Sequence, residues 1–353
     1  MDTNLTIAMI LATPGTGWGG MEKHTAELAA ELARRGHQVH VLAHPAYQSQ
    51  FSPAVMAHSL PMHLGRRNPW LRFRLQRILH SITPNVAHAQ GNKAASLLGS
   101  VQRYAGARIG ATVGTVHGTK TSHTPFNPLD GVIAVSGDIL AALAHPNKRL
   151  IYNGLPTISG GKMTGDTIIP IPEDRPLLLA AGRLEPVKQF DRLIQAWVNA
   201  RLPGALVILG EGSQRAELTE LIAKLGAEDR VLLPGYEPRM RPWLKAASAC
   251  AISSQREGFP YILVESLLAR CPVMATPVSG VTEFLPPDCV ADSDSVADLT
   301  TLIAQHLQPP HQLAERQAAA FEHAANTLTL NAMVTATEQF YQQLVPRSHS
   351  TPR

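Results

Sequence analysis

Apolar residues follow two alternating rhythms along the chain. Leu5–Thr13 (LTIAMILAT) is a nearly unbroken apolar run ending at Pro14, which predicts a buried strand and a turn. From Met21 to Arg35 the apolar positions change to helical spacing (Met21, Leu28, Leu32 with alanines between), and the segment stops at Gly36, a helix C-terminal cap. Gln38–Ala43 reads as strand again. Strand, helix, strand in this order is a βαβ unit, the building block of a parallel sheet with helices on both faces. Further strands are predicted at Val86–Ala89, Ala111–Val116 and Val132–Val135.

Between Pro156 and Pro176 the pattern breaks into Ser159, Gly160, Gly161, Gly165, Pro170 and Pro172, the composition of a linker. A second series then begins, with strands at Leu177–Ala181, Leu206–Leu209, Arg230–Leu233, Ala249–Ser253 and Val273–Thr276. Phe190–Ala200 and Gln214–Leu225 are helical stretches among them. The economical fold class is α/β: two doubly wound domains, residues 1–155 and 177–330, joined by a linker over 156–176. Ligands of such sheets sit at the carboxyl ends of the strands, which predicts a site in a central cleft that the two domains face.

Composition narrows the picture. A chain of 353 residues fits two domains of about 100–200 residues each. With 44% apolar and 16% charged residues it is not a disordered chain. No apolar run approaches the ~18 residues of a membrane-spanning helix. Asp2, and the lack of Lys or Arg before Lys23, argue against a secretory leader. Three cysteines, an odd number without CxxC spacing, argue against a disulfide framework and a zinc site and fit a reducing cytoplasm. The net charge of +4 conceals an asymmetry: residues 1–170 hold 15 Lys and Arg against 7 Asp and Glu, the remainder 16 against 20. The halves are expected to meet different partners, unless the difference is charge scatter between domains.

Gly15, Gly17 and Gly20 match the G-x-G-x-x-G spacing of dinucleotide-binding turns. That motif also needs a carboxylate at the end of the second strand to hold a ribose, and here the strand ends Leu42-Ala43-His44-Pro45. Hydride-transfer chemistry is therefore disfavoured. A close backbone approach and a helix N-terminus attractive to anions remain.

The second half carries a denser constellation. Gly182-Arg183 follows a strand, and Lys188 comes five residues after Arg183; two cations on a strand-to-helix loop suit a diphosphate, though a surface charge pair would read the same way. Gly210-Glu211-Gly212 follows the next strand. Glu257-Gly258-Phe259-Pro260-Tyr261-Ile262-Leu263-Val264-Glu265 places two carboxylates eight positions apart around a predicted helix start. Pro260 falls in the first turn, and the amides of Tyr261, Ile262 and Leu263 are expected to be free for an anion.

In the order and spacing of these motifs the sequence resembles the family 4 retaining glycosyltransferases of the GT-B fold, which have two Rossmann-like domains. The resemblance covers nearly the whole chain. It rests on Gly19-Gly20-Met21-Glu22, His88, Val116-His117-Gly118, Ala134-Val135-Ser136, Asn153-Gly154, Gly182-Arg183-Leu184 with Lys188, Gly235, the Glu257–Glu265 segment, Pro272-Val273, Gly280 and Glu283. It implies a retaining hexosyl transfer from a nucleotide-sugar donor, UDP-linked by preference, to a glycan or lipid-linked glycan acceptor in lipopolysaccharide core or other cell-surface polysaccharide assembly. No cofactor or metal is implied.

Carried over residue by residue, the resemblance makes His117, Arg183, Lys188 and Glu257 the catalytic set. Arg183 and Lys188 would stabilise the diphosphate leaving group. Glu257 would bind donor-sugar hydroxyls and Glu265 the ribose. Gly19, Gly20, Gly182, Gly210, Gly212, Gly235, Tyr236, Gly258, Phe259, Tyr261, Ile262 and Leu263 would border the donor. His88 is expected to be structural. Gln90 replaces a frequent histidine, Asn85 a frequent aspartate and Pro260 a frequent glycine. The last helix, about Ala332–Leu344 within 331–353, is expected to cross back to the first domain. A sugar-nucleotide epimerase of the same fold and a non-catalytic membrane-associated binding protein are the alternatives.

One segment of the first domain stands apart. Arg66, Arg67, Arg72, Arg74 and Arg77 occur among Trp70, Leu71, Phe73, Leu75, Ile78 and Leu79, without an acid. As a helix after Pro69 it would gather Trp70, Phe73 and Ile78 on one side, the leucines widening the stripe. Such a helix either lies on an anionic membrane surface or packs its stripe on the sheet with the arginines solvated. Few aromatics and no binding fold make nucleic acid the weakest partner. The expected location is cytoplasmic, with peripheral attachment to the inner face of the membrane if the basic face is used.

Overall fold

The structure, a computed structural model, describes residues 4–104, 109–119, 122–156, 175–307 and 311–345. Most of the expected linker, residues 157–174, and the tail from 346 lie outside the described residues. The chain divides into two compact units, Met1–Gly154 with Leu330–Arg353, and Leu155–Thr329.

The first unit contains β1 (Thr6–Leu11), α1 (Gly20–Arg34), β2 (Gln38–Ala43), β3 (Met56–Ser59), α2 (Pro69–Ile82), β4 (Val86–Gln90), α3 (Gly91–Tyr104), β5 (Ala111–Val116), β6 (Gly131–Ala134), α4 (Gly137–Ala142) and β7 (Lys148–Leu150). The second contains β8 (Leu177–Ala181), α5 (Phe190–Ala200), β9 (Ala205–Leu209), α6 (Arg215–Lys224), β10 (Val231–Gly235), α7 (Met240–Ala246), β11 (Ala249–Ile252), α8 (Tyr261–Leu268), β12 (Val273–Ala275), α9 (Val296–His306), α10 (His311–Arg316) and α11 (Ala318–Thr327). The last helix, α12 (Leu330–Leu344), belongs to the first unit.

Both sheets are parallel. The first runs β3-β2-β1-β4-β5-β6-β7 and the second β10-β9-β8-β11-β12. Each therefore reverses its winding once, between β1 and β4 and between β8 and β11, and these switch points are where doubly wound sheets open for a ligand. Burial on both faces explains the continuous apolar runs: Ile7 to Leu11 and Leu178 to Ala180 are fully buried. Ile7, Met9 and Leu11 share a core with Leu28 and Leu32 of α1 and with Met333, Val334, Phe340 and Tyr341 of α12. A polar clasp adds to this packing, because Glu338 of α12 accepts from Arg35 Nη1 at 2.5 Å and pairs with His37 Nε2 at 2.9 Å.

The structure departs from the sequence-based expectations in four places. β3 and β7 were not anticipated; they are short outer strands, MAHS and KRL, with too few apolar residues to show as runs. Pro260 precedes α8 as its N-cap and does not lie in its first turn. The Leu263 amide is not free, since it donates to the Pro260 carbonyl at 3.1 Å in a tight opening turn. In α2 the single apolar stripe separates into two faces: Leu71, Leu75 and Leu79 are fully buried, whereas Trp70 and Phe73 are 46% and 56% exposed. Asn68 caps this helix by accepting from the Leu71 amide at 3.1 Å, and Pro69 needs no donor at its first position.

Candidate active site

In the second unit the loops leaving β8, β9 and β10 are tied edge to edge. The Gly182 amide donates to the Leu209 carbonyl, the Gly210 amide to Gly235, and the Leu184 amide to Glu211, all within 3.0 Å. Glycine is imposed here by crowding: a Cβ at Gly210 would stand 1.9 Å from the Gly182 carbonyl oxygen, and Gly210 has φ +146°. At Gly212 a Cβ would meet the Leu184 backbone at 2.4 Å. Tyr236, next along from Gly235, is 72% exposed.

Across the switch point the loop after β11 meets the loop after β8. The Gln255 amide donates to the Val187 carbonyl at 2.9 Å, and Ser253 Oγ donates to the Lys188 carbonyl at 2.8 Å. This brings Lys188 Nζ to 2.5 Å from Glu257 Oε1, which also accepts from Ser254 Oγ at 2.7 Å. Both charged side chains are mostly shielded, at 21% and 15% exposure. Lys188 and Glu257, expected against different parts of one ligand, thus form a direct ion pair. Arg183 stays exposed, and its guanidinium makes no hydrogen bond or ion pair among the described residues. Glu265 is partly buried on α8. Gly258, Phe259, Ile262 and Leu263 are buried, and the Phe259 ring turns inward against Phe284 at 5.7 Å.

A shielded lysine beside a carboxylate, with an exposed arginine on the same loop, can accept the charge of a phosphate ester while the carboxylate holds hydroxyl groups. Elsewhere in this unit Asp288, Cys289 and His306 present ligand atoms within 4.8 Å of one another. Arg316 is paired with the Asp288 carboxylate there, and His306 Nε2 contacts the Asp288 carbonyl at 2.6 Å, so those groups are already used.

In the first unit the glycine turn leads into α1. Gly19 caps the helix, its amide donating to Glu22 Oε2 at 3.0 Å, and Gly20 opens the first turn. Tyr47 holds the turn from the side by donating its hydroxyl to the Gly17 carbonyl at 2.8 Å. At the carboxyl edge of the same sheet lies a histidine cluster. His88 is fully buried between the Tyr341 hydroxyl, 2.6 Å from Nδ1, and Thr115 Oγ1, 2.7 Å from Nε2. His117, just past β5, is partly buried and lies 2.7 Å through Nε2 from Gln90 Oε1. His24 of α1 packs edge-on to His117 at 4.7 Å, and its Nδ1 lies 3.0 Å from Asn153 Oδ1.

Burial keeps all three rings neutral. It lowers His24 to about 4, partly offset by the Asn153 bond. It lowers His88 to about 3, with the nearby His24 acting in the same direction. His117 falls well below the usual histidine range through burial and then through His24 and His88. His24, Gln90 and Ser254 were not singled out as site residues from the sequence. The signal for His24 was present: it stands four and eight positions before Leu28 and Leu32, on the inward stripe of α1.

The basic helix presents Trp70 and Phe73 to solvent with Arg74 over the Trp70 ring at 5.0 Å and Arg77 over the Phe73 ring at 5.9 Å. Arg66 and Arg67 are exposed beside them, while Arg72 donates to the Arg66 carbonyl at 3.1 Å. Among the described residues no helix is long and apolar enough to cross a membrane.

Residues 18–157 match the family model for Glycosyltransferase Family 4, and residues 166–323 that for Glycosyl transferases group 1. The N-acetylgalactosamine-N,N'-diacetylbacillosaminyl-diphospho-undecaprenol 4-alpha-N-acetylgalactosaminyltransferase of Campylobacter jejuni is 37% identical over 112 residues, 31% of either chain. The lipopolysaccharide core biosynthesis glycosyltransferase LpsE of Rhizobium meliloti is 36% identical over 115 residues, 32% of this chain and 33% of its own. The matched stretch thus spans about a third of the length of these curated relatives. Among solved structures, Anabaena HepE in complex with UDP-glucose superposes with a TM-score of 0.80 at 18% identity, over 97% of this chain and 100% of that one. The likeness shows the fold: two parallel-sheet α/β domains of the GT-B type.

Proposed function

Because the chain belongs to the group 1 glycosyltransferases, we propose that it transfers a hexosyl group from a UDP-sugar to an acceptor hydroxyl with retention of configuration. The acceptor we assign is a glycan or lipid-linked glycan, either of lipopolysaccharide core, the setting named for the Rhizobium relative, or of another cell-surface polysaccharide. The observation that carries this reading is the Lys188–Glu257 pair at the β8/β11 switch point, in a unit whose β8 and β9 loops pack too closely at Gly210 and Gly212 to admit side chains. In this reading Lys188 and Arg183 take up the charge released on the diphosphate as the glycosyl bond breaks. Glu257 binds hydroxyls of the departing sugar, and Glu265 the ribose. Gly182, Gly210, Gly212, Gly235 and Tyr236 border the nucleotide.

The acceptor side belongs to the first unit, where Gly19 and Gly20 open α1 and border phosphates and acceptor, and His117, just past β5, faces the donor sugar. We further assign the exposed face of α2 to an anionic lipid surface, with Trp70 and Phe73 entering the interface and Arg66, Arg67, Arg74 and Arg77 meeting phosphate groups. The protein would then work as a peripheral enzyme at the inner face of the membrane.

The test is incubation with labelled UDP- and GDP-sugars, following diphosphate release with and without a lipopolysaccharide-core acceptor. Release that requires acceptor supports transfer. Turnover of the donor without acceptor would instead mark an epimerase, and binding without turnover a non-catalytic protein.

A further inference from the structure

Gln90 sits between two imidazoles at the carboxyl edge of the first sheet and is 1% exposed. Its amide nitrogen lies 3.4 and 3.5 Å from the two ring nitrogens of His88. Both of those nitrogens already have hydroxyl partners, Tyr341 and Thr115. The amide therefore points its N–H groups at the ring as a whole, a weak contact that a neutral imidazole accepts. Its carbonyl end is left for His117 and can only accept. His117 Nε2, 2.7 Å away, must then carry the hydrogen. In a neutral imidazole the other nitrogen is consequently an acceptor.

That nitrogen, His117 Nδ1, makes no hydrogen bond among the described residues, and the ring is partly exposed. The ring is held from its other side by His24, whose own orientation is set by Asn153. His24 Nε2 is buried with no partner among the described residues, so it supplies no competing donor bond. The other titratable groups facing His117 are therefore His24 from α1 and His88 from β4.

We propose that Gln90 is a positioning residue that fixes His117 in its Nε2–H form, so that Nδ1 presents a lone pair to a hydroxyl group of the bound substrate. This rests on the sugar-transfer reading above and specifies what the site takes at that point. A sugar hydroxyl can donate to Nδ1. An ionised carboxylate or a fully ionised phosphate oxygen has no hydrogen to give and would set lone pair against lone pair.

The experiment uses the full chain with nitrogen-isotope-labelled histidine, free of donor and acceptor, near neutral pH. His117 resonances are identified by their loss in His117→Gln. In the unmodified protein His117 is expected to show a protonated Nε2 and a bare Nδ1. In Gln90→Leu the two nitrogens should shift toward an average of both forms, with kcat/KM falling about tenfold. Gln90→Glu, which keeps an acceptor, should restore the Nε2–H signature. A hydrogen on Nδ1 in the unmodified protein, or an unchanged His117 spectrum in Gln90→Leu, overturns the assignment. If Gln90→Leu does not fold, the spectrum of the unmodified protein decides alone. Failure of sugar transfer is seen separately, in the diphosphate-release assay, and leaves the tautomer measurement intact.

Discussion

Lys188 and Glu257 stand 69 residues apart in the chain and 2.5 Å apart in space. Removing the cation leaves the carboxylate with Ser254 and takes away charge stabilisation that matters most as the diphosphate departs. Lys188→Ala is therefore expected to lower kcat by about 10²–10³-fold with a smaller change in the donor KM, measured by steady-state kinetics. Unchanged turnover would place the diphosphate elsewhere. Two left-handed glycines, Gly17 in the first unit and Gly210 in the second, give a second expectation at this scale. Gly17→Ala meets no atom within 4 Å and adds only backbone strain at φ +147°, about 1–2 kcal/mol. Gly210→Ala adds comparable strain plus a clash 1.9 Å from a carbonyl oxygen, so it should cost more than Gly17→Ala in urea unfolding. Equal costs would mean that the β8 and β9 loops are not held together as described.

At the scale of elements, α2 has two apolar faces with different work. Leu75 is fully buried, so Leu75→Ala should destabilise by roughly 2–5 kcal/mol. Trp70→Ser with Phe73→Ser changes only exposed rings and should stay within about 0.5 kcal/mol each. The double variant should nevertheless lose flotation with vesicles containing anionic lipid, while the parent protein floats with those and not with neutral ones. Equal flotation of both proteins would remove α2 from the membrane assignment. The clasp of α12 is also testable. Glu338→Ala leaves Arg35 and His37 without their shared carboxylate and should cost about 1–3 kcal/mol, with faster amide exchange in α12.

For the whole molecule, the buried histidines of the first unit impose a direction on pH dependence. His24, His88 and His117 have folded-state pKa values below the ordinary histidine value, so the unfolded chain binds more protons once pH drops below about 6.5. Stability should be level between about pH 6.5 and 8 and decline below 6.5, as His24 titrates near 4 and His88 near 3. His24 alone would remove on the order of 3 kcal/mol between about pH 6.5 and 4. Thermal unfolding followed between pH 7 and pH 4 reads this. A midpoint that rises or stays level on acidification would show that the cluster is not buried neutral.

The apolar rhythm of the sequence determined the two parallel-sheet series, because strands covered on both faces leave short apolar runs that alternate with stretches at helical spacing. Motif order and spacing, separately from that rhythm, put Arg183 and Lys188 after one strand and Glu257 after another, and in the structure they follow β8 and β11. The rhythm did not show β3 or β7, outer strands with little apolar side chain to bury. Nor did it show that Lys188 meets Glu257, that Gln90 stands between His88 and His117, or which side of α2 reaches solvent. Those facts depend on which loops the strand order brings together and on which face a helix lays against the sheet. Local spacing fixes neither, because contact between distant segments is chosen by packing of the whole unit.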